Sequence, residues 1–276
     1  MKYSMMRFPG FKSKAVTLSY DDGVVYDRKL MEIMDKNGLK GTFNINSGAF
    51  SEDGKLRMTK QQAFDLYANS GHEVAIHGKR HLSLTEIPTA MATDDVLNDR
   101  IALEEMFGII ITGMAYANGV FDDKVVEILK NCGVEYARTV ISTEKFDIPN
   151  DWLRLPATCH HNNPKLMELA RSFVEEAPHK YFWRRTPKLF YLWGHSYEFN
   201  NDDNWNVIED FASYIGNRED IWYATNIEIC HYVKAFDSLH FGANGTFVYN
   251  PSAIDVYLND FSGEVIVPAG ETVKLN

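Results

Sequence analysis

The segment AVTLSYDDG, residues 15–23, begins as an apolar strand and ends in two adjacent carboxylates and a glycine. Its first six residues predict a buried strand, and Gly23 permits a sharp turn directly after it. Because side chains alternate along a strand, Asp22 shares a face with Tyr20, whereas Asp21 takes the opposite face. The two carboxylates can therefore have different roles, although such a cluster on its own is more typical of a solvated turn.

Similar apolar runs follow along the chain and alternate with amphipathic helices. Helix ends are indicated by a Thr59–Gln62 capping box and by Gly71 and Gly108, with Thr93 at the start of the helix that Gly108 closes. Repeated β-α units predict parallel strands with helices outside, and seven units favour a barrel over an open sheet. The six further strands are predicted at residues 42–46, 73–77, 110–116, 134–140, 189–194 and 221–224.

The last part of the chain breaks this pattern. Residues 242–276 contain three short strand-like pieces, TFVYN, AIDVYL and EVIVP, separated by Pro and Gly turns. We therefore expect residues 1–241 to form an α/β barrel and residues 242–276 to form a small C-terminal β appendage.

Composition and charge narrow the possible partners. The 276 residues are 45% hydrophobic and 24% charged, as in a globular protein with a sizeable core. The net charge of -10 argues against nucleic acid and anionic membranes as partners. The first residues contain no secretory signal or spanning segment, which predicts a cytoplasmic protein. Cys132, Cys159 and Cys230 are scattered and expected to be reduced and structural.

Two more predicted strands end in histidines. Residues 73–77 end at His77, and His81 follows four residues later, a spacing that in a helical turn puts both rings on one side, where they can bind one metal ion. The run LFYLWG, residues 189–194, is followed directly by His195. Each histidine alone would often be an ordinary surface or core residue. Their shared position at strand ends, together with Asp21 and Asp22, predicts one common site.

Together these segments resemble the polysaccharide deacetylase family (NodB homology, carbohydrate esterase family 4) over about residues 12–235. The family motif T-F-D-D-G resembles residues 19–23, H-S/T-x-x-H resembles residues 77–81, and L-x-x-H matches residues 192–195. The resemblance implies a distorted (β/α)7 barrel. It also implies Asp21 as catalytic base, Asp22, His77 and His81 as metal ligands, and His195 as general acid.

Other family motifs are altered or missing. Residues 115–119 match R-x-P-Y-G only in outline and lack the Arg that braces the base, while Asn118 stands where a backbone N–H contributes to the oxyanion site. Gly78 replaces the Ser or Thr that buttresses the histidine loop, and the Asp that orients the general acid has no clear counterpart. The candidates are Arg138 and Arg154 for the brace, and Asp147 and Asp151 for the orienting carboxylate.

The resemblance implies a metal-dependent hydrolase that removes N-acetyl groups from an acetylated polysaccharide or oligosaccharide. One carboxylate and two imidazoles suit Zn2+, although Co2+, Ni2+ or Mn2+ would also be accepted. Trp205 and Tyr197 are candidates to stack on sugar rings, whereas Trp193 is expected in the core. Two alternatives stay open: hydrolysis of a small non-sugar amide or cyclic imide, as in allantoinase-like relatives, and a non-catalytic glycan-binding protein.

Overall fold

A ring of parallel strands surrounded by helices dominates the computed structural model, which describes residues 2–181, 184–260 and 263–275. The strands are Met6–Arg7 (β1), Lys14–Asp21 (β2), Gly41–Ile45 (β3), Glu73–Ile76 (β4), Gly113–Ala115 (β5), Tyr136–Ser142 (β6), Leu155–Ala157 (β7), Cys159–His160 (β8), Lys188–Gly194 (β9), Ile221–Tyr223 (β10), His240–Phe241 (β11), Phe247–Tyr249 (β12), Val256–Asn259 (β13), Glu264–Val267 (β14) and Thr272–Lys274 (β15). The α-helices are Asp27–Lys36 (α1), Lys60–Tyr67 (α2), Thr89–Phe107 (α3), Asp123–Asn131 (α4), Leu166–Glu175 (α5), Ser196–Asn201 (α6), Asn206–Ile215 (α7) and Asn226–Asp237 (α8).

The ring is closed by one short segment of chain. From β2 the ladder runs through β3, β4, β5 and β6 in one direction and to β9 in the other. Strand β7 pairs with β6 and β8 pairs with β9, and only Thr158 separates β7 from β8. The predicted α/β barrel is therefore confirmed.

The structure differs from the strand predictions at three places. The predicted seventh strand exists as β10, but it pairs with residues 14–16 at the start of β2. From Leu18 onward, β2 pairs with β3 along the same edge. The closing segment, β7 and β8, was not predicted because LPATCH is short, contains Pro156 and lacks an apolar alternation. The predicted strand 110–116 shortens to β5, and Ile110, which is 81% exposed, lies in the connection before it.

The helix signals are partly confirmed. Thr59 and Gln62 form the predicted capping box of α2, and Gly108 ends α3 in a left-handed conformation. Two details were wrong: α2 ends at Tyr67 with an extended Ala68, so that Gly71 lies in the following turn, and α3 begins before Thr93.

Strand β2 has one apolar face that packs in the core and one polar face that leads to the site. Val16, Leu18 and Tyr20 pack in the apolar layer between strands and helices. On its other face Thr17 donates a hydrogen bond to Asn226 (2.9 Å), and Ser19 accepts one from Asn44 (2.8 Å). A buried polar row therefore leads along the strand toward Asp21.

The C-terminal strands form two small antiparallel sheets. One contains β11, β12 and β15, and the other joins β13 and β14 to β1 near the chain start. Their buried residues, including Val248 and Leu258, share an apolar cluster with Met6 and Phe8. The division into residues 1–241 and 242–276 stays a prediction. The three cysteines are buried and free, and no helix in the described ranges has the length and apolar character to cross a bilayer.

Candidate active site

The polar residues singled out in the sequence meet at the C-terminal ends of the barrel strands. Asp21 is the last residue of β2, His77 directly follows β4, and His195 directly follows β9. Nε2 of His77 and Nε2 of His195 each lie 3.8 Å from Oδ2 of Asp21. The structure therefore places the imidazoles of His77 and His195 on either side of the Asp21 carboxylate.

Asp22, His77 and His81 form a group with the donor atoms of a metal site. Their ligand atoms lie within 4.8 Å of one another, and the two imidazole rings have centroids 4.8 Å apart. Nδ1 of His77 lies 2.8 Å from the carbonyl oxygen of Ala115, so that this nitrogen carries the proton and Nε2 keeps its lone pair. Burial lowers the pKa of His77, which favours the neutral, ligating form.

The carboxylate of Asp22 fits a bound cation. Its Oδ1 is buried and accepts no hydrogen bond from the described residues. Arg57 Nη1 lies 3.4 Å away and His81 Nε2 3.7 Å away. Since a buried carboxylate oxygen without a donor is costly, a divalent ion with one carboxylate and two imidazole ligands suits this group.

A tight turn, and no helical turn, brings His77 and His81 together. Gly78 has φ 79° and His81 has φ 54°, and the His81 N–H donates to the Gly78 carbonyl at 3.3 Å. A Cβ atom at Gly78 would lie 2.8 Å from Oδ2 of Asp95. Asp95 also accepts hydrogen bonds from the backbone and side chain of Arg80. The Gly in place of Ser or Thr therefore makes room for a carboxylate from α3.

A second α3 carboxylate supports the same turn. Asp99 accepts the backbone N–H of His77 at 3.0 Å and that of Ser47 at 2.7 Å. Burial raises the pKa of Asp99 to about 6, although these hydrogen bonds oppose the rise. Asp22 also leaves the strand alternation, because its φ of 85° turns it away from the regular path of β2. Its direction toward His81 depends on this backbone conformation.

Asp21 is held by neighbours on other strands. It accepts a hydrogen bond from Asn44 at 2.9 Å and forms a close ion pair with Arg138. The guanidinium of Arg138 lies over the ring of Trp193, 4.4 Å from its centroid. Burial alone would raise the pKa of Asp21, but Arg138, together with His77 and His195, holds it below its ordinary value. Of the two brace candidates, Arg138 contacts Asp21, whereas Arg154 pairs with Asp123 and Asp151 at the surface.

His195 contacts a carboxylate that the sequence reasoning missed. Its Nδ1 lies 3.2 Å from Oε1 of Glu198, which is three residues further on in α6. Burial alone would lower the pKa of His195, but Glu198 and then Asp21 raise it above its ordinary value. The two predicted orienting residues, Asp147 and Asp151, instead line a separate cavity of about 300 Å³.

Further residues near the site were also missed. Oε2 of Glu198 is contacted by the adjacent His160 and His161 at the end of β8. The available signals were the consecutive histidines and the three-residue spacing from His195 to Glu198, which suits one face of a helix.

Asn118 and the predicted sugar-stacking residues lie in different settings. Asn118 follows β5 with φ 57°, and its exposed side chain donates to Ser83 Oγ at 3.1 Å. Trp193 is buried in the core, as expected. The Tyr197 ring lies 5.1 Å from that of His195, and Trp205 packs on Phe199.

The comparison with sequence families agrees with the resemblance found in the motifs. The sequence-family model described as polysaccharide deacetylase matches residues 9–137 of the chain. A protein of Arthroderma benhamiae, named a probable peptidoglycan-N-acetylglucosamine deacetylase, is 28% identical over 99 residues, which are 36% of this chain and 21% of that protein. The match thus spans about a fifth of the relative's length.

Solved structures share the fold at low sequence identity. A Mycobacterium smegmatis protein, whose name assigns it provisionally to the polysaccharide deacetylases, superposes with a TM-score of 0.60 at 17% identity, covering 86% of this chain and 96% of that one. The Xyl-CE4 domain of a multidomain xylanase from the hindgut metagenome of Trinervitermes trinervoides superposes with a TM-score of 0.52 at 12% identity, covering 81% of this chain and 92% of that domain. A family 4 carbohydrate esterase from Streptomyces lividans superposes with a TM-score of 0.50 at 13% identity, covering 77% of this chain and 93% of the esterase chain.

Proposed function

We propose, from the match of residues 9–137 to the polysaccharide deacetylase family model, that the chain is a divalent-metal-dependent hydrolase that removes N-acetyl groups from a carbohydrate polymer or oligomer. The observation that carries the proposal is the convergence of Asp22, His77 and His81 within 4.8 Å. This group lies directly beside an ionised carboxylate and a partly buried imidazole, Asp21 and His195.

Amide hydrolysis needs an activated water, a polarised carbonyl and a proton for the departing amine. A divalent ion, with Zn2+ the first choice and Co2+, Ni2+ or Mn2+ as alternatives, would supply water activation and carbonyl polarisation when held by Asp22, His77 and His81.

The residues of the chain supply the proton transfers. Asp21 takes a proton from the water whose oxygen bonds to the acetyl carbon, and Arg138 keeps Asp21 ionised and in place. The backbone N–H of Asn118 donates to the developing oxyanion. His195 gives its Nε2 proton to the sugar nitrogen as the C–N bond breaks, so that acetate and a free amine leave.

The name of the Arthroderma benhamiae relative makes N-acetylglucosamine oligomers the first substrates to test. The chain would be stripped with a chelator, its metal content measured, and acetate release followed before and after addition of each divalent metal. We expect no turnover in the stripped protein and recovery with at least one metal.

Two further arms separate the alternatives. Ring opening of cyclic imides without acetate release would favour the small-amide hydrolase, and glycan binding without turnover would favour the non-catalytic protein. Full acetate release by metal-free protein would contradict the metal-dependent mechanism.

A further inference from the structure

One carboxylate at the edge of the site is shared by three imidazoles. Oε1 of Glu198 lies 3.2 Å from Nδ1 of His195. Its Oε2 lies 3.3 Å from Nε2 of His160 and 2.8 Å from Nε2 of His161, both as ion-pair contacts without hydrogen-bond alignment, and it accepts a hydrogen bond from the side-chain amide of Asn162 at 3.4 Å. Glycine at position 194 makes this packing possible, because a Cβ there would lie 2.0 Å from Nδ1 of His161.

The hydrogen bonds around these rings indicate where their protons lie. The backbone N–H of Asn162 donates to Nδ1 of His160 at 3.1 Å, so the neutral ring carries its proton on Nε2, the nitrogen that lies 3.3 Å from Glu198. Burial lowers the pKa of His161 to about 4, so this ring is neutral at pH 7. Burial alone would raise the pKa of Glu198, but His160, His161 and His195 hold it well below its usual range.

An ionised Glu198 fixes both the tautomer and the direction of His195. With Nδ1–H directed to Glu198, Nε2 faces Asp21 at 3.8 Å. Among the described residues, the rings of Tyr197, at 5.1 Å, and His160, at 6.2 Å, also pack near His195, and Asp22 and His161 interact with it electrostatically.

We infer that Glu198 is a positioning residue for His195, and that His160 and His161 in turn hold Glu198 in place. The inference rests on the proposed function, because it assigns to His195 the donation of a proton to the leaving nitrogen. The orienting carboxylate then comes from the helix that follows His195, and not from Asp147 or Asp151.

The same atoms also have the composition of a metal site, since His160, His161 and Glu198 offer ligand atoms within 4.8 Å. Coordination through Nε2 of His160 would place its proton on Nδ1, facing the Asn162 N–H that now donates to it. Both ring nitrogens of the buried His161 lack an aligned partner among the described residues, so it is the hydrogen bond accepted by His160 that disfavours a second ion.

The test compares Glu198→Gln with Glu198→Asp and Glu135→Gln in zinc-loaded protein. Glu135→Gln is the matched control, because it removes a carboxylate from the remote pair with His231 (3.2 Å). For an N-acetylglucosamine oligomer, kcat should fall by about 10²-fold in Glu198→Gln, since a positioned general acid contributes about 10² to 10⁴. Acetate release from 4-nitrophenyl acetate should change little, because its leaving group needs no proton.

A second readout does not depend on turnover. Nitrogen NMR of labelled histidines should show that Glu198→Gln lowers the pKa of His195 and changes its tautomer, that Glu198→Asp partly restores both, and that Glu135→Gln leaves both unchanged.

Equal losses on both substrates with an unchanged His195 ring would overturn the inference, as would loss of a second equivalent of zinc from Glu198→Gln. If wild-type protein releases no acetate from the oligomer, the proposed function fails, and the NMR comparison still decides whether Glu198 positions His195.

Discussion

The guanidinium of Arg138, from the middle of β6, lies against the carboxylate of Asp21 at the end of β2, and both side chains are buried. The two strands are not neighbours in the ring. The proposed base is therefore held in place by a cross-barrel ion pair, whose partner comes from a different strand than the family's third motif.

Replacing this arginine should destabilise the fold as well as reduce turnover. Arg138→Met leaves Asp21 as an unpaired buried charge, a change that typically costs about 3–5 kcal/mol. Arg154→Met is the matched control, because its ion pairs with Asp123 and Asp151 are exposed and contribute little. Urea denaturation of both variants measures the difference. Similar effects of the two substitutions would show that Arg138 does not support Asp21.

The pH dependence of kcat/KM should be bell-shaped with a wide plateau. Turnover needs Asp21 ionised and His195 protonated. The pKa of Asp21 is lowered, so the acidic limb of the profile should lie below the ordinary Asp pKa of about 3.9. The pKa of His195 is raised, so the alkaline limb should lie above the ordinary His pKa of about 6.5. Acetate release across this range, with stability checked at each pH, tests the assignment. Constant activity up to about pH 10 would exclude His195 as the acid.

The histidine turn should tolerate no side chain at Gly78. Gly78 and Gly71 both have φ 79°, but a Cβ at Gly71 meets nothing within 4 Å, whereas one at Gly78 meets Asp95. Gly71→Ala should cost only the left-handed backbone, about 1–2 kcal/mol. Gly78→Ala should cost more and weaken zinc binding, as measured by denaturation and chelator competition. Equal costs with unchanged zinc affinity would mean that the turn is not built around Asp95.

At the opposite end of β4, a buried carboxyl should make stability depend on pH. Glu73 accepts hydrogen bonds from Tyr136, Thr42 and the Ile227 N–H, yet burial raises its pKa to about 7. Because the folded pKa exceeds the unfolded value, the folded state binds more protons between these values, and stability falls as pH rises toward 7.

A shift from an unfolded pKa of 4.5 to a folded pKa of about 7 predicts a loss of about 2–3 kcal/mol between pH 5 and 8. Glu73→Gln should remove this part of the dependence, as judged by denaturation at several pH values, with the exposed Glu127→Gln as control. An unchanged pH dependence in Glu73→Gln would show that Glu73 is ionised in the folded protein throughout.

The sequence predicted the residues that lie at strand ends, but it left open or missed the charged residues that hold them in place. Asp21, His77 and His195 each follow an apolar strand, and parallel strands bring such positions to one edge. The choice between Arg138 and Arg154 needed the structure, because both follow plausible apolar segments. Glu198 was missed because its carboxylate lies on a six-residue helix, too short to give a periodic signal.

The closing strand was missed for a related reason. Leu155 to His160 is recognisable as a strand only through its two neighbours, since β7 pairs with β6 and β8 with β9. Residues 160 and 161 therefore had no predicted strand end to place them beside His195. The turn at Gly78 was likewise assigned to a helical geometry, because the Asp95 carboxylate that occupies its inner side comes from a distant helix.

The most direct test of the account is to measure metal content and kcat together in Asp21→Asn and Asp22→Asn. Asp22→Asn replaces an anionic ligand with a neutral amide, so zinc affinity should fall sharply and activity with it. Asp21→Asn keeps all three ligands but removes the base, so zinc should stay bound while kcat falls by about 10² to 10⁴. If Asp21→Asn loses zinc and Asp22→Asn keeps it, the roles are reversed, and if both variants keep zinc and full activity, the proposed site is not the site of the chemistry.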